Sequence, residues 1–235
     1  MTRQFLLLLT VCFSLQLKAS DWVINRDHSE ILFKVGYLNV SEVNGRFKEF
    51  SGKLDLDKNK VPQNIKILIL TPSIDTGHKM RDNHLQANDF FESKQFPEIS
   101  FTSTNVKKIK SNEYEASGLL TIKNTTKPII LNFILTDSVT DTWGYENKFV
   151  KFKSKLSRKD YSLNWNKNLD DSKYLVSDEV YFWGAFQIQP SIGQTPTSKH
   201  MLPDTEYIRE REDELRKSKD ESAFSKKLRN LINGK

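Results

Sequence analysis

From Asp21 to about Pro190 the dominant signal is alternation of apolar with polar residues, a period that belongs to strands, whose successive side chains point to opposite faces. In "SEILFKV" Ile31, Phe33 and Val35 share a face; in "IKILIL" Ile65, Ile67 and Ile69 do; in "PIILNFILT" Ile129, Leu131, Phe133 and Leu135 do. "VKFKSKL" sets Val150, Phe152, Ser154 and Leu156 against Lys151, Lys153 and Lys155. The last strand, "VYFWGAFQIQ", gathers Val180, Phe182, Gly184, Phe186 and Ile188 on one side and stops at Pro190. Further strands are predicted at residues 22–25, 46–56, 99–104 and 114–122, divided by turns such as "KNKVPQ". About eight antiparallel strands with one apolar face each cannot stay an open sheet, because that face would remain wet. They must close into a barrel or pair into a sandwich, and the fold class is all-β.

Small residues interrupt the large inward ones: Gly52 between Phe50 and Leu54, Ala116 and Gly118 before Leu120, and Ser154 and Gly184 on the late strands. An eight-stranded barrel is just wide enough to be filled by side chains or to hold one small ligand, so repeated small residues point toward a cavity. The same glycines also suit tight bends at barrel corners. Periodicity leaves both explanations standing.

The two ends of the chain differ from the middle. Arg3, an apolar run from Phe5 to Leu17 and the small pair Ala19-Ser20 give residues 1–20 the layout of a secretory signal peptide. Its removal would place residues 21–190 in the periplasm or outside the cell. "LTVC", ending at Cys12, is only a faint lipobox. Cys12 is the single cysteine and lies inside that leader, so the mature chain is expected to carry neither disulfides nor thiolate chemistry. Loss of Arg3 and Lys18 leaves 34 basic against 30 acidic residues. These charges are interspersed rather than striped, which argues against nucleic acid as a partner.

Residues 191–235 begin as a Gly/Pro linker and continue as a charged segment with helical character, for which Asp204 is the expected cap. Its distal face of Phe224, Leu228, Leu231 and Ile232 could dock on the barrel, lie on a membrane or bind a protein. An adaptor of the cell envelope acting through this segment is the alternative function. A homodimer is also compatible with the sequence.

One helix is predicted near residues 78–91, inside "DTGHKMRDNHLQANDFF". Asp75, His78, Asp82 and His84 carry metal-ligating atoms, but His78 and His84 are six residues apart and do not share a helix face. No nucleophile signature accompanies the His/Asp pair. The expected role is closure: Phe90, Phe91 and Phe96 act as plugs while the polar residues bond turns and a helix end at the rim.

Five stretches, "DHSEILFKV", "VNGRFKEFSGKLDLD", "PSIDTGHKMRDNHLQANDFFESKQFPEISFTST", "SGLLTIKNTTKPIIL" and "LSRKDYSLNW", occur in the order found in the YceI-like family, which the chain resembles from Trp22 to about Gln189. The resemblance implies a lipocalin-like antiparallel barrel with a polyisoprenoid or other long-chain lipid in its pore and implies no catalytic activity; neither a cofactor nor a metal is expected. Tyr37, Asn124 and Tyr161-Ser162 depart from the family's usual histidine, glycine and Phe-Gly. The expected lining is Phe33, Phe47, Phe50, Phe101, Leu120, Ile122, Phe152 and Phe182, with Phe90 and Phe91 on the covering helix; ordinary core packing would use the same side chains. His28, Lys123 and Arg158 are the candidates for the mouth, the last two because a cation suits a phosphate or carboxylate. For Arg158 the competing expectation is a pair with Asp160 or Asp178.

Overall fold

A computed structural model describes residues 20–170 and 173–191. The leader (1–19) and the C-terminal segment from residue 192 lie outside the described residues, and with them the expected signal peptide, linker and charged helix. The strands are β1 (Ser20–Tyr37), β2 (Ser41–Phe47), β3 (Phe50–Leu56), β4 (Pro62–Leu70), β5 (Ile74–Asp75), β6 (Glu98–Lys108), β7 (Glu113–Ile122), β8 (Thr125–Leu135), β9 (Val139–Thr140), β10 (Glu146–Ser157), β11 (Asn168–Asp170), β12 (Lys173–Tyr174) and β13 (Val176–Pro190). One α-helix, α1 (Lys79–Leu85), interrupts them.

Eight strands form a closed antiparallel ring in the order β13-β10-β8-β7-β6-β4-β3-β1, with β1 pairing back to β13. Closure leaves the ring without a free edge. Inside and outside follow the sequence alternation: on β10, Val150 is buried while Lys151, Lys153 and Lys155 are exposed, and on β8, Leu131, Phe133 and Leu135 are buried while Ile130 and Ile134 are exposed.

Two strand expectations differ in detail. Residues 22–25 and 31–35 belong to one 18-residue strand, with the β13 register broken between Asn25 and Glu30. Ser29 fills that break: its hydroxyl donates to Asn25 O (2.5 Å) and accepts from Gln187 N (3.0 Å). Conversely, the single strand expected over 46–56 is divided at Lys48-Glu49. There the backbone changes partners, Lys48 N donating to Ser73 O and Glu49 O accepting from Leu70 N. The first half of β1 therefore pairs with β3 and the second half with β2.

The small inward residues do not open the cavity. A Cβ on Gly118 would lie 2.5 Å from the Phe101 ring, one on Gly184 2.3 Å from the Phe152 ring, and one on Gly52 2.6 Å from Ile24. Each glycine is a notch filled by a side chain of the neighbouring strand, so small and large residues together reach native packing density. With Ala116, Leu131, Phe133, Val150, Phe186 and Ile188 they pack one end of the barrel solid, leaving a void of only about 40 Å3.

Lys148 enters this filled end as a buried cation. It is 4% exposed, its Nζ stands 5.7 Å from the Trp22 ring and 3.4 Å from Thr136 O, and burial lowers its pKa below the ordinary lysine value. Because the folded state disfavours the charged form, the unfolded chain binds more protons between the lowered and the ordinary value of 10.5. Stability from this group rises with pH through that window and is complete above 10.5. Lys148→Met is expected to stabilise by about 1 kcal/mol at neutral pH and to flatten the alkaline rise, read by urea unfolding between neutral pH and the lysine range.

The chain divides into two compact units. The barrel belongs to the first. Of the second, the described part is Thr140–Tyr145, a turn in which Asp141 Oδ1 accepts from the backbone N–H of Trp143 (3.0 Å) and Tyr145 (2.9 Å).

Candidate functional site

The other end of the barrel is hollow. A cavity of about 710 Å3 is walled by Ile31, Phe33, Phe47, Ile69, Ile99, Leu120, Ile122, Leu156, Val180 and Phe182. That volume falls in the range of about 300–1,000 Å3 usual for small-molecule sites.

The roof is built by the polar stretch ahead of the Phe-Phe pair. Gly77 takes a positive φ of 74° and donates its N–H to Asp75 Oδ1 (3.0 Å), turning the chain toward α1. His78 caps the helix, its Nδ1 accepting from Arg81 N (3.3 Å). Asp82 accepts from the backbone and hydroxyl of Thr76, and Arg81 donates to the same hydroxyl (2.7 Å) and to Thr76 O (2.8 Å). Asp75 ties the base to the barrel through Arg46 (3.0 Å), and its carboxyl is held below the usual value by the Gly77 N–H and then by Arg46.

The helix ends at Leu85, earlier than the expected 91. Phe91 N donates to Leu85 O and Glu92 N to Ala87 O, so the chain coils back. Consecutive residues of a helix diverge by about 100°; after this turn Phe90 and Phe91 both reach the cavity. His84 completes the roof, its Nε2 2.7 Å from Asp89 Oδ2 and its ring edge-on to Phe90 (5.0 Å) and Trp165 (4.9 Å).

The expected lining residues separate into two groups. Phe33, Phe47, Phe90, Phe91, Leu120, Ile122 and Phe182 stand on the cavity. Phe101 and Phe152 instead face the small void of the filled end, and Phe50 packs on Phe186 with centroids 5.8 Å apart. The last three are core because the glycine notches admit the Phe101 and Phe152 rings and because Phe186 occupies the space beside Phe50.

None of the three mouth candidates presents a free cation to the cavity. His28 is exposed on the irregular part of β1, outside the cavity wall. Lys123, at φ 55° in the β7–β8 turn, is 3.5 Å from Glu92 Oε2 and 5.8 Å from the Phe96 ring, clasping the segment after the helix to the barrel. Arg158 does line the cavity, yet its guanidinium is spent on backbone. It donates to Ser177 O (2.9 Å), Leu163 O (2.5 Å), Trp165 O (2.7 Å) and Val176 O (3.3 Å), and reaches Asp178 at 3.4 Å. Asp160 pairs with Lys127 instead. Burial pushes the Arg158 pKa down, and the Asp178 charge only partly offsets that.

The mouth itself is framed by the β1–β2 hairpin and the first turn of α1, with Tyr37, Ser41, Glu42, His78, Met80 and Arg81 on it. Sequence reading assigned the polar residues of α1 to the rim but missed Tyr37, Val43, Leu163 and Trp165 as lining. The one available signal was Tyr37, which stands where the resembling family often has histidine. Ser162, at the family's glycine position, adopts φ 60°. Among the described residues no three His, Cys, Asp or Glu side chains converge as a metal site would need.

The family model for the YceI-like domain matches residues 22–184. The chain belongs to the YceI-like family. It is 34% identical over 148 residues to protein YceI of Escherichia coli O157:H7, covering 62% of this chain and 77% of that one. Its barrel is similar to that of Burkholderia cenocepacia BcnA, with a TM-score of 0.61 and 22% identity over 70% of this chain and 98% of the other. A polyisoprenoid binding domain from Saccharophagus degradans, implicated in plant cell wall breakdown, is similar with a TM-score of 0.53 and 15% identity, covering 74% and 99% of the two chains. The YceI-like barrel is thus the scaffold on which this chain sets a half-length cavity, its roof and its rim.

Proposed function

We propose that the protein binds a single long-chain lipid, of the polyisoprenoid or fatty type, with the tail in the apolar cavity, and that it carries or stores the lipid without catalysis and without a cofactor. The observation that carries this reading is the coincidence of a 710 Å3 void with a wall of Phe, Ile, Leu and Val side chains and a roof made for covering it. Polyisoprenoid binding in a domain of similar fold supports it. With the sequence layout of residues 1–20, the place of action is the periplasm or the exterior.

Each buried CH2 is worth about 0.8 kcal/mol against water, so the barrel makes such a chain portable through an aqueous compartment. Against a bilayer the tail gains little, since both surroundings are apolar. Selectivity then comes from cavity length and shape and from the groups at the mouth. The filled end sets a floor of Phe101, Phe152 and Phe186, so the tail occupies one half of the barrel rather than running through it.

Native purification followed by mass spectrometry of the extracted ligand tests the proposal. A lipid near one per protein is expected from the wild type. Val180→Trp, which puts an indole into the cavity, should reduce occupancy at least about tenfold while leaving the strand content unchanged by circular dichroism. A wild-type protein that yields no co-purified lipid and takes up no fatty probe would refute the reading.

A further inference from the structure

Two apolar side chains protrude beside the mouth of the cavity. Val40 is 87% exposed and Met80 78%, the highest values among the large hydrophobic residues described. Both are held outward by local structure. The hairpin turn between β1 and β2 places Leu38 at φ 56° and Asn39 at φ 58°, and is tied down by Val40 N to Tyr37 O (3.3 Å) and Leu38 N to Leu175 O (2.9 Å). Met80 sits in the first turn of α1, which Thr76, His78 and Asp82 anchor.

The two protrusions belong to one opening: Tyr37 and Ser41, on either flank of the hairpin tip that carries Val40, line the same cavity as Met80. Beside Met80, in "HKMR", the exposed Lys79 makes no ion pair among the described residues.

We infer that this rim docks on the surface of a bilayer containing anionic phospholipid, with Val40 and Met80 entering the interfacial region and Lys79 meeting lipid phosphates. Two apolar tips beside the opening of an apolar cavity bring acyl chains close to the barrel interior, with Ser41, Glu42, His78 and Arg81 between them at headgroup level. They offer a protein partner little continuous area, far below the roughly 800 Å2 per side of a stable interface. The purpose of docking rests on the lipid reading of the cavity; the membrane contact itself does not.

The test is co-flotation of the full chain with phosphatidylcholine–phosphatidylglycerol vesicles. The wild type is expected to float with them, and Val40→Ser/Met80→Gln to lose at least about tenfold in bound fraction, since both apolar anchors are removed. Lys79→Gln should lessen the preference over pure phosphatidylcholine vesicles and the sensitivity to salt. Both positions are exposed, so the variants keep the barrel, and a fatty probe added from ethanol should still be retained by the single variant Val40→Ser, whose position is not on the cavity wall. A wild type that stays with the soluble fraction, or a double variant that floats equally well, overturns the inference. So does a wild-type dimer that the double variant converts to monomer with vesicle binding unchanged, because the rim would then join two copies of the chain. Absence of probe uptake by a vesicle-binding wild type would count against the cavity reading alone.

Discussion

Arg158→Ala should lower the unfolding free energy by about 3–5 kcal/mol, measured as a shift of the urea midpoint at unchanged slope. Arg158 is 3% exposed and its donors are shared among four backbone carbonyls and Asp178. Truncation removes a donor from the carbonyls of residues 163, 165, 176 and 177, of which Val176 O keeps the bond from Asn166 Nδ2 (2.7 Å), and an acceptor stripped of its donor costs more than the bond contributed. Arg158→Lys should recover only part of the loss, because an ammonium has three donors on a flexible stem where guanidinium has five in a fixed plane. The damage should also reach the cavity. Leu163, Trp165 and Val176 are cavity-lining residues whose carbonyls all accept from that side chain, so lipid retention should fall in the variant even where it remains folded. Had Arg158 been a head-group ligand, Arg158→Ala would weaken lipid binding and leave stability nearly untouched.

Phe101→Ala should cost a comparable amount, about 3–5 kcal/mol. The ring fills the notch over Gly118 at the packed end of the barrel, and the ladder bonds on both sides of β6 keep the wall from collapsing into the space. The existing 40 Å3 void should therefore enlarge into an apolar hole that binds xenon or benzene. Gly118→Ala approaches the same pair from the other side. Its Cβ would meet the Phe101 ring at 2.5 Å and the Thr102 carbonyl at 2.6 Å, and backbone in a ladder cannot retreat as a side chain can. About 1–3 kcal/mol is expected. Phe101→Leu/Gly118→Ala should be less destabilised than the sum of its single changes, since the smaller side chain relieves the ring contact. Additive losses would mean that ring and notch are not one packing unit.

Legibility in the sequence followed the range of the interaction concerned. Alternation is a property of neighbours along the chain, so the apolar faces of β8 and β10, the charged outer row of Lys151, Lys153 and Lys155, and the all-β class were readable directly. The stop at Pro190 and the helical break beginning at His78 were readable for the same reason. The end of α1 was not, because Leu85 and Phe91 are joined by a backbone bond that depends on where both phenyl rings find space.

The sequence by itself determined which face of each strand is apolar and that the strands must bury it. Only the tertiary structure decided which half of the interior is full and which is hollow. A small residue has no fixed meaning until its cross-strand neighbour is known: Gly184 stands opposite Phe152 across a strand pair formed some thirty residues apart, and that ring turns an apparent gap into packed volume. The same holds for charge. Arg158 is a cation on paper, but carbonyls brought to it by the turn after β10 and the start of β13 consume its donors, and satisfaction of buried polar groups is a matter of three-dimensional neighbours rather than of residue type.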